Sequence, residues 1–178
     1  PRYHEHMSYF TLNTMSKLME RNRLEIFDAE VTDTHGGSLR AFVQKKNGSH
    51  RKTDAIQKML LEEENIKLHE KNTYTKFAQK IEANKAELKK ILSEIKSKGK
   101  KIAGYGAPAK GNTLLNYFDI GTETIDYIVD DSSWKQGLYT PGKHIPVYGF
   151  EHLQKNMSDY ILILAWNFAE PIMKKCAE

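Results

Sequence analysis

The hydrophobic period of the chain changes at Gly99, and that change limits the fold more than any other feature. Upstream, from about Thr53 to Lys98, Ile56, Leu60, Tyr74, Phe77, Ile81, Leu88, Ile91, Leu92 and Ile95 recur mostly at three-, four- and seven-residue intervals. That is the spacing of a helical face. A break near Leu68 to Asn72 divides the stretch into two helices. Lys96, Lys98 and Gly99 stop the second one, because cations complement the C-terminal dipole and glycine takes the left-handed cap. Downstream the segments are short and alternate in type. Lys101–Tyr105 reads as a strand, Gly106–Gly111 as a glycine-rich turn and Asn112–Phe118 as a helix. Ile125–Asp130 and Ile145–Val147 read as strands, Phe150–Gln154 as a short helix and Tyr160–Ala165 as an apolar strand. Pro171 suits an early helical position, so a last helix runs toward Glu178. Strands alternating with helices predict a parallel sheet with helices on its faces.

The first ten residues read as a loop. Leu12, Met15, Leu18 and Met19 then mark one face of a helix that begins at about Thr11. Leu24–Val31 is β-prone, Thr32–Gly37 is turn chemistry, and Leu39, Ala41 and Val43 alternate with polar residues, so two neighbouring strands follow. The expected fold class is α/β: a Rossmann-like parallel sheet with flanking helices, preceded by a helical and β-hairpin N-terminal segment. Three parts are expected: 1–51, a helical connector over 52–99, and a sheet-bearing subdomain over 100–178.

With 178 residues, of which 39% are hydrophobic and 28% charged, the chain can bury a proper core and has an ordinary globular composition. No uninterrupted apolar run approaches the roughly 18 residues of a membrane span. Cys176 is the one cysteine, which excludes an internal disulfide and a cysteine-based zinc site and fits a reducing cytoplasm. The net charge of +4 is mild. Much of it lies in Lys85–Lys101, where Glu82, Glu87 and Glu94 interleave, so this reads as a solvated helix face. Neither nucleic acid nor a membrane is expected as a partner, and the oligomeric state stays open. An opening of Pro-Arg-Tyr-His reads as part of something longer.

Gly104-Tyr105-Gly106-Ala107-Pro108-Ala109 matches G-x-G-x-x-A between a strand and a helix, and Asp130 ends the next strand. Glycines there let the backbone approach a phosphate, the helix N-terminus attracts it, and the acid can accept a ribose hydroxyl. Tight turn geometry alone also accounts for the glycines. Lys110 and Asn112 favour a phosphorylated ligand, since a cation at a helix N-terminus opposes the dipole unless an anion is bound. Asp131, Trp134, Lys135, Gln136, Tyr139 and His144 crowd into one connection at the rim where open α/β sheets bind ligands. The plain alternative is a surface loop with a buried Trp134. Trp166-Asn167 ends the last strand on the same edge, with Asn167 either a helix cap or an amide donor to a ligand.

Tyr3-His4-Glu5-His6 places two imidazoles, a carboxylate and a phenol together. Imidazole, with an ordinary pKa of about 6.5, can take a proton at neutral pH. A metal held by His4 and His6, or a plain terminal loop or tag remnant, remains open at this point.

Taken in order, Tyr3-His4-Glu5-His6-Met7-Ser8-Tyr9-Phe10, His35-Gly36-Gly37-Ser38-Leu39-Arg40, Tyr105 to Asn116, Asp130-Asp131, Lys135-Gln136-Gly137, Pro141-Gly142 and Ala165-Trp166-Asn167 resemble the C-terminal domain of the S-adenosylmethionine-dependent sugar C-methyltransferases. The resemblance covers nearly the whole chain. It implies an enzyme acting on a nucleotide-linked 4-keto deoxysugar, with a zinc-binding part and a methyl-donor domain that these residues do not include. His6 would be the general base, Glu5 would orient it, and Tyr3 would hydrogen-bond the sugar. No metal is implied on this chain. Arg40, Tyr105, Lys110, Asn112, Asp130, Lys135, Trp166 and Asn167 would hold the nucleotide sugar. Two other classes compete: a nicotinamide-dependent oxidoreductase domain, favoured by the glycines and Asp130, and a non-catalytic nucleotide-binding or interaction module.

Overall fold

A computed structural model describes residues 8–34 and 37–177. They form two compact units, 8–81 and 82–177. The fold class is the one the sequence predicts, and the differences lie at element ends.

In the first unit, α1 (Leu12–Arg21) leads into the antiparallel pair β1 (Leu24–Thr32) and β2 (Ser38–Lys45), followed by α2 (Asp54–Asn65). The register shifts between Ile26 and Asp28. This bulge lets Ile26 and Ala29, three positions apart, both turn inward, where simple alternation would separate them. They bury themselves with Leu12 and Ile56, and Met15, Met19, Leu39 and Ala41 pack around them. Val43 is 39% exposed, although it alternates with Leu39 and Ala41 in the sequence. The N-terminus of α1 is closed from two sides. The Thr11 hydroxyl accepts the Thr14 N–H in a capping box, and the Glu63 carboxylate of α2 accepts the N–H groups of Leu12 and Asn13. That pins α1 to α2 and supplies acceptors for helix-end donors that would otherwise have none.

α3 (Lys71–Ser97) begins in the first unit and continues into the second, where Leu92 is its buried residue. The lysine-rich face makes local contacts: Lys85 lies over the Tyr117 ring, Lys90 pairs with Glu94 and Lys96 with Asp126. The sheet of the second unit contains β3 (Ile102–Tyr105), β4 (Tyr127–Val129), β5 (Val147–Tyr148) and β6 (Tyr160–Ile163). All pairings are parallel, in the order β5-β4-β3-β6. The chain crosses from one side of β3 to the other between β5 and β6, which makes the β3–β6 junction the switch point of the sheet. α4 (Ala109–Phe118), α5 (Phe150–Lys155) and α6 (Ala169–Ala177) are its helices. Ala103, Tyr105, Tyr127 and Val129 pack on one face with Leu153 of α5 and Ile172 of α6. Gly104, Ile128 and Leu164 alternate to the other face, where a side chain at Gly111 of α4 would press on Leu164.

β4 (Tyr127–Val129) is shorter than the expected Ile125–Asp130 and β5 (Val147–Tyr148) begins later than the expected Ile145, and two boundaries at the rim also differ. α4 starts at Ala109 rather than Asn112, with Pro108 in an extended conformation as its N-cap. A proline carries no N–H to leave unpaired, so the helix can start directly after it. β6 ends at Ile163, because the Leu164 and Ala165 N–H groups both turn to the Tyr105 carbonyl where β3 ends. Trp166–Phe168 is therefore a short 3-10 turn, not the end of a strand. Among the described residues no helix is long and apolar enough to cross a membrane.

Glu63→Ala should lower the stability of the first unit by about 0.5–2 kcal/mol, the usual cost of a lost cap. Denaturant unfolding followed by helix signal measures it, and an unchanged midpoint would mean that the carboxylate adds nothing to α1.

Candidate functional site

The C-terminal rim of the parallel sheet is built around the turn Gly106-Ala107-Pro108. Gly106 has φ of +87°, and a Cβ there would lie 2.6 Å from the Cβ of Ala165. Its N–H donates to the Val129 carbonyl at 2.7 Å. Turn geometry and close packing therefore account for this glycine fully. Gly104, inside β3, is accounted for by packing alone, since a Cβ there would meet Ile128 at 2.7 Å.

Asp130 fixes the turn from the end of β4. Its carboxylate accepts the Ala107 N–H at 2.7 Å, the Ser132 N–H at 2.9 Å and the Lys135 ammonium at 3.0 Å. It is only 8% exposed. Burial alone pushes the carboxyl up, but the two N–H groups and the ammonium outweigh it and hold Asp130 below the usual carboxylate range. Asp130 thus stays ionised and ties three points of the rim together.

Two cavities open on either side of this turn. One, of about 270 Å³, lies on the α4 face and is lined by Asn112, Leu115, Leu138, Tyr139, Pro141 and Val147 among others. The second, of about 380 Å³, lies on the α6 face against Tyr105, Asp131, Phe168, Pro171, Ile172 and Lys175. Lys135 lines both. In the second cavity the Tyr105 hydroxyl donates to Asp131 at 3.2 Å, and Lys175 pairs with Asp131 at 2.6 Å while lying over the Phe150 ring. Burial pushes the Tyr105 phenol up, and the hydrogen bond to Asp131 pushes Lys175 up.

Of the sequence-predicted binding residues, Tyr105, Lys110, Asn112, Asp130, Lys135, Trp166 and Asn167 all belong to the second unit, and all stand at or just beyond the C-terminal ends of its strands. Lys110, in the first turn of α4, lies 4.6 Å from the centre of the Trp166 ring. It has no carboxylate partner among the described residues, whereas Lys135 and Lys175 each hold one. No side chain caps α4, so its first N–H groups face the rim. Asn167 is exposed beside Trp166. Trp134 is 90% exposed, so the connection after β4 is not anchored by a buried tryptophan. Arg40 lies in the first unit, where it pairs with Glu30 across the hairpin at 2.7 Å. Tyr3, Glu5 and His6 lie outside the described residues, as do His4, His35 and Gly36.

The sequence reading missed Lys175 and Phe168. Lys175 stands three residues after buried Ile172, which puts it on the sheet-facing side of α6, and that spacing was the available signal.

The rim has an excess cation at Lys110 and a helix N-terminus, which suit an anion. Among the described residues no group of three or more His, Cys, Asp or Glu is placed to hold a metal ion.

Residues 33–178 match the family described as C-methyltransferase C-terminal domain. The chain is also 36% identical over 171 residues to the C-methyltransferase NovU of Streptomyces niveus. That alignment covers 96% of this chain and 41% of the relative, so the chain spans about two fifths of the relative's length.

Asp130→Asn should destabilise the protein at neutral pH by about 1.5–3 kcal/mol, the scale of hydrogen bonds to a charged group. Because the folded-state pKa is depressed, this contribution is present above the unfolded carboxylate value of about 3.9 and is lost as the pH falls through the lower folded value. The gap between wild type and variant should therefore narrow on acidification below pH 4. A gap that stays constant in thermal unfolding from pH 7 down to pH 3 would show that the charge on Asp130 does not matter.

Proposed function

The chain belongs to the C-methyltransferase C-terminal domain family, and from that premise we propose that it holds a nucleotide-linked 4-keto deoxysugar for methylation at the carbon α to the keto group. The observation that carries this reading is the rim around Gly106-Ala107-Pro108. An uncapped helix N-terminus, Lys110 and Lys135 stand beside two largely apolar cavities, the second of which also carries the Tyr105 hydroxyl, the Asp131 carboxylate and the Lys175 ammonium. A nucleoside diphosphate sugar offers the matching parts: a flat ring, an anionic linker and a polar ring.

The chemistry assigned to this chain is proton removal. A hydrogen on the carbon next to a ketone is acidic enough to leave when the resulting enolate oxygen is stabilised. His6 takes that proton on an imidazole nitrogen, Glu5 orients the ring and stabilises the imidazolium, and Tyr3 hydrogen-bonds the sugar oxygen. These three roles rest on the family resemblance of the Tyr-x-Glu-His element. A positioned base of this kind contributes roughly 10²–10⁴ in rate. S-adenosylmethionine supplies the methyl group from a part of the enzyme outside this chain, and the zinc also belongs there.

In the full-length protein, His6→Asn should slow methyl transfer by about 10²–10⁴. It should also stop exchange of the substrate's α-hydrogen for deuterium in the absence of methyl donor, with the melting temperature unchanged. Exchange at the wild-type rate in the variant would remove His6 from the mechanism.

A further inference from the structure

We propose that α3 is a self-association helix, which pairs antiparallel with α3 of a second copy of this chain along a stripe that runs from Tyr74 to Ile91.

Along α3, Tyr74, Phe77, Ile81, Asn84, Leu88 and Ile91 follow one another at steps of three, four, three, four and three residues. That is the a and d pattern of a coiled coil, with Tyr74, Ile81 and Leu88 at a and Phe77, Asn84 and Ile91 at d. A strict a and d stripe is narrower than the apolar face of a helix that packs only on its own domain. The stripe is not used up within the chain. Phe77 is 62% exposed, Tyr74 50% and Ile91 48%. The second unit meets α3 on a neighbouring side, through buried Leu92, Lys85 over the Tyr117 ring and Lys96 on Asp126. Those are e and b positions, roughly a quarter turn around the helix from the centre of the stripe.

The flanking charges choose the partner and its direction. The g positions are Lys80, Glu87 and Glu94. Lys80 and Glu87 are exposed and make no ion pair among the described residues. In a parallel pair each g residue meets an e residue of the other helix. Lys80 would then face the partner's Lys85, and Glu87 would face the partner's Leu92, which is already buried. In an antiparallel pair g meets g. With Tyr74 opposite the partner's Ile91, Phe77 opposite the partner's Leu88 and Ile81 opposite the partner's Asn84, Lys80 faces the partner's Glu87, and Glu87 faces the partner's Lys80. Sliding by one heptad sets Glu87 against the partner's Glu87 in one direction and Lys80 against the partner's Lys80 in the other. One helix thus carries both halves of its own complement, in one direction and one register. Asn84, the polar member of the stripe, falls in the two central layers, and a single polar residue inside such a seam pins the register.

The stripe is short, so the dimer is weak and reversible, with an expected dissociation constant on the order of 1–10 μM. Sedimentation velocity of the full-length protein over a dilution series measures it. Phe77→Glu and Ile91→Glu, both at exposed positions, should each leave a monomer at every concentration, with the melting temperature of dilute wild type. Lys80→Glu and Glu87→Lys should each weaken the dimer by roughly tenfold, because either reversal spoils two pairs, and the double variant should recover wild-type affinity. A parallel pair responds in the opposite sense: Lys80→Glu alone tightens it, and that result overturns the proposal. A dimer that survives Phe77→Glu and Ile91→Glu overturns it too. So does a wild type that stays monomeric up to roughly a hundred times the expected constant. If Phe77→Glu then also lowers the melting temperature, another part of the same enzyme covers the stripe instead of a second copy.

Discussion

A single buried carboxylate organises the part of the molecule where ligand chemistry is concentrated. Asp130 sits at the end of β4 and reaches back to the N–H of Ala107, in the turn that follows β3. The same group receives Ser132 and Lys135. An acid in this place is often read as a ribose acceptor. Here its two oxygens already accept two backbone N–H groups and one ammonium, so its first task is to hold the rim in shape. Gly106 makes the arrangement possible, because its missing side chain leaves room for Ala165 of the neighbouring strand end. Carboxylate and glycine together bring the ends of three strands into register, and the two cavities are the spaces left around them.

Charge is distributed unevenly across this rim. Lys135 and Lys175 are each matched to a carboxylate, so they are fixed in position and partly neutralised. Lys110 rests on the face of Trp166, an attraction that is modest at an exposed site. Its cation is therefore the one most readily given to an arriving anion, and the open end of α4 lies on the same turn. The rim lies within the part of the chain that matches the C-methyltransferase C-terminal domain family.

The sequence carried the architecture further than the site. The period change at Gly99, the G-x-G-x-x-A run and Asp130 were enough to place a strand, a turn and a helix, and β3, α4 and β4 stand there. Element ends were less legible because partners elsewhere in the chain set them. β6 stops where the Tyr105 carbonyl captures two successive N–H groups, and nothing in Ile163-Leu164-Ala165 signals that. The inward turn of both Ile26 and Ala29 depends on a bulge that simple alternation does not reveal. For the rim itself, residue types were readable and their partners were not. Lys110 was read as a phosphate ligand, but its resting place on Trp166 depends on a residue 56 positions away in the chain. Lys175 escaped notice because it carries no motif and reaches Asp131 only through the docking of α6. The Tyr3, Glu5 and His6 roles stand on sequence resemblance, since those residues lie outside the described ones.

The central claim is that the strand-end rim, and not some other surface of the chain, receives the nucleotide sugar. Titration of isotope-labelled protein with deoxythymidine-diphosphate-linked 4-keto-6-deoxyglucose, followed by amide and indole resonances, tests it most directly. The account predicts saturable shifts at Gly106–Gly111, Asp131–Thr140 and the Trp166 indole. Saturable shifts confined to residues away from those segments, with the rim resonances unmoved, would contradict it.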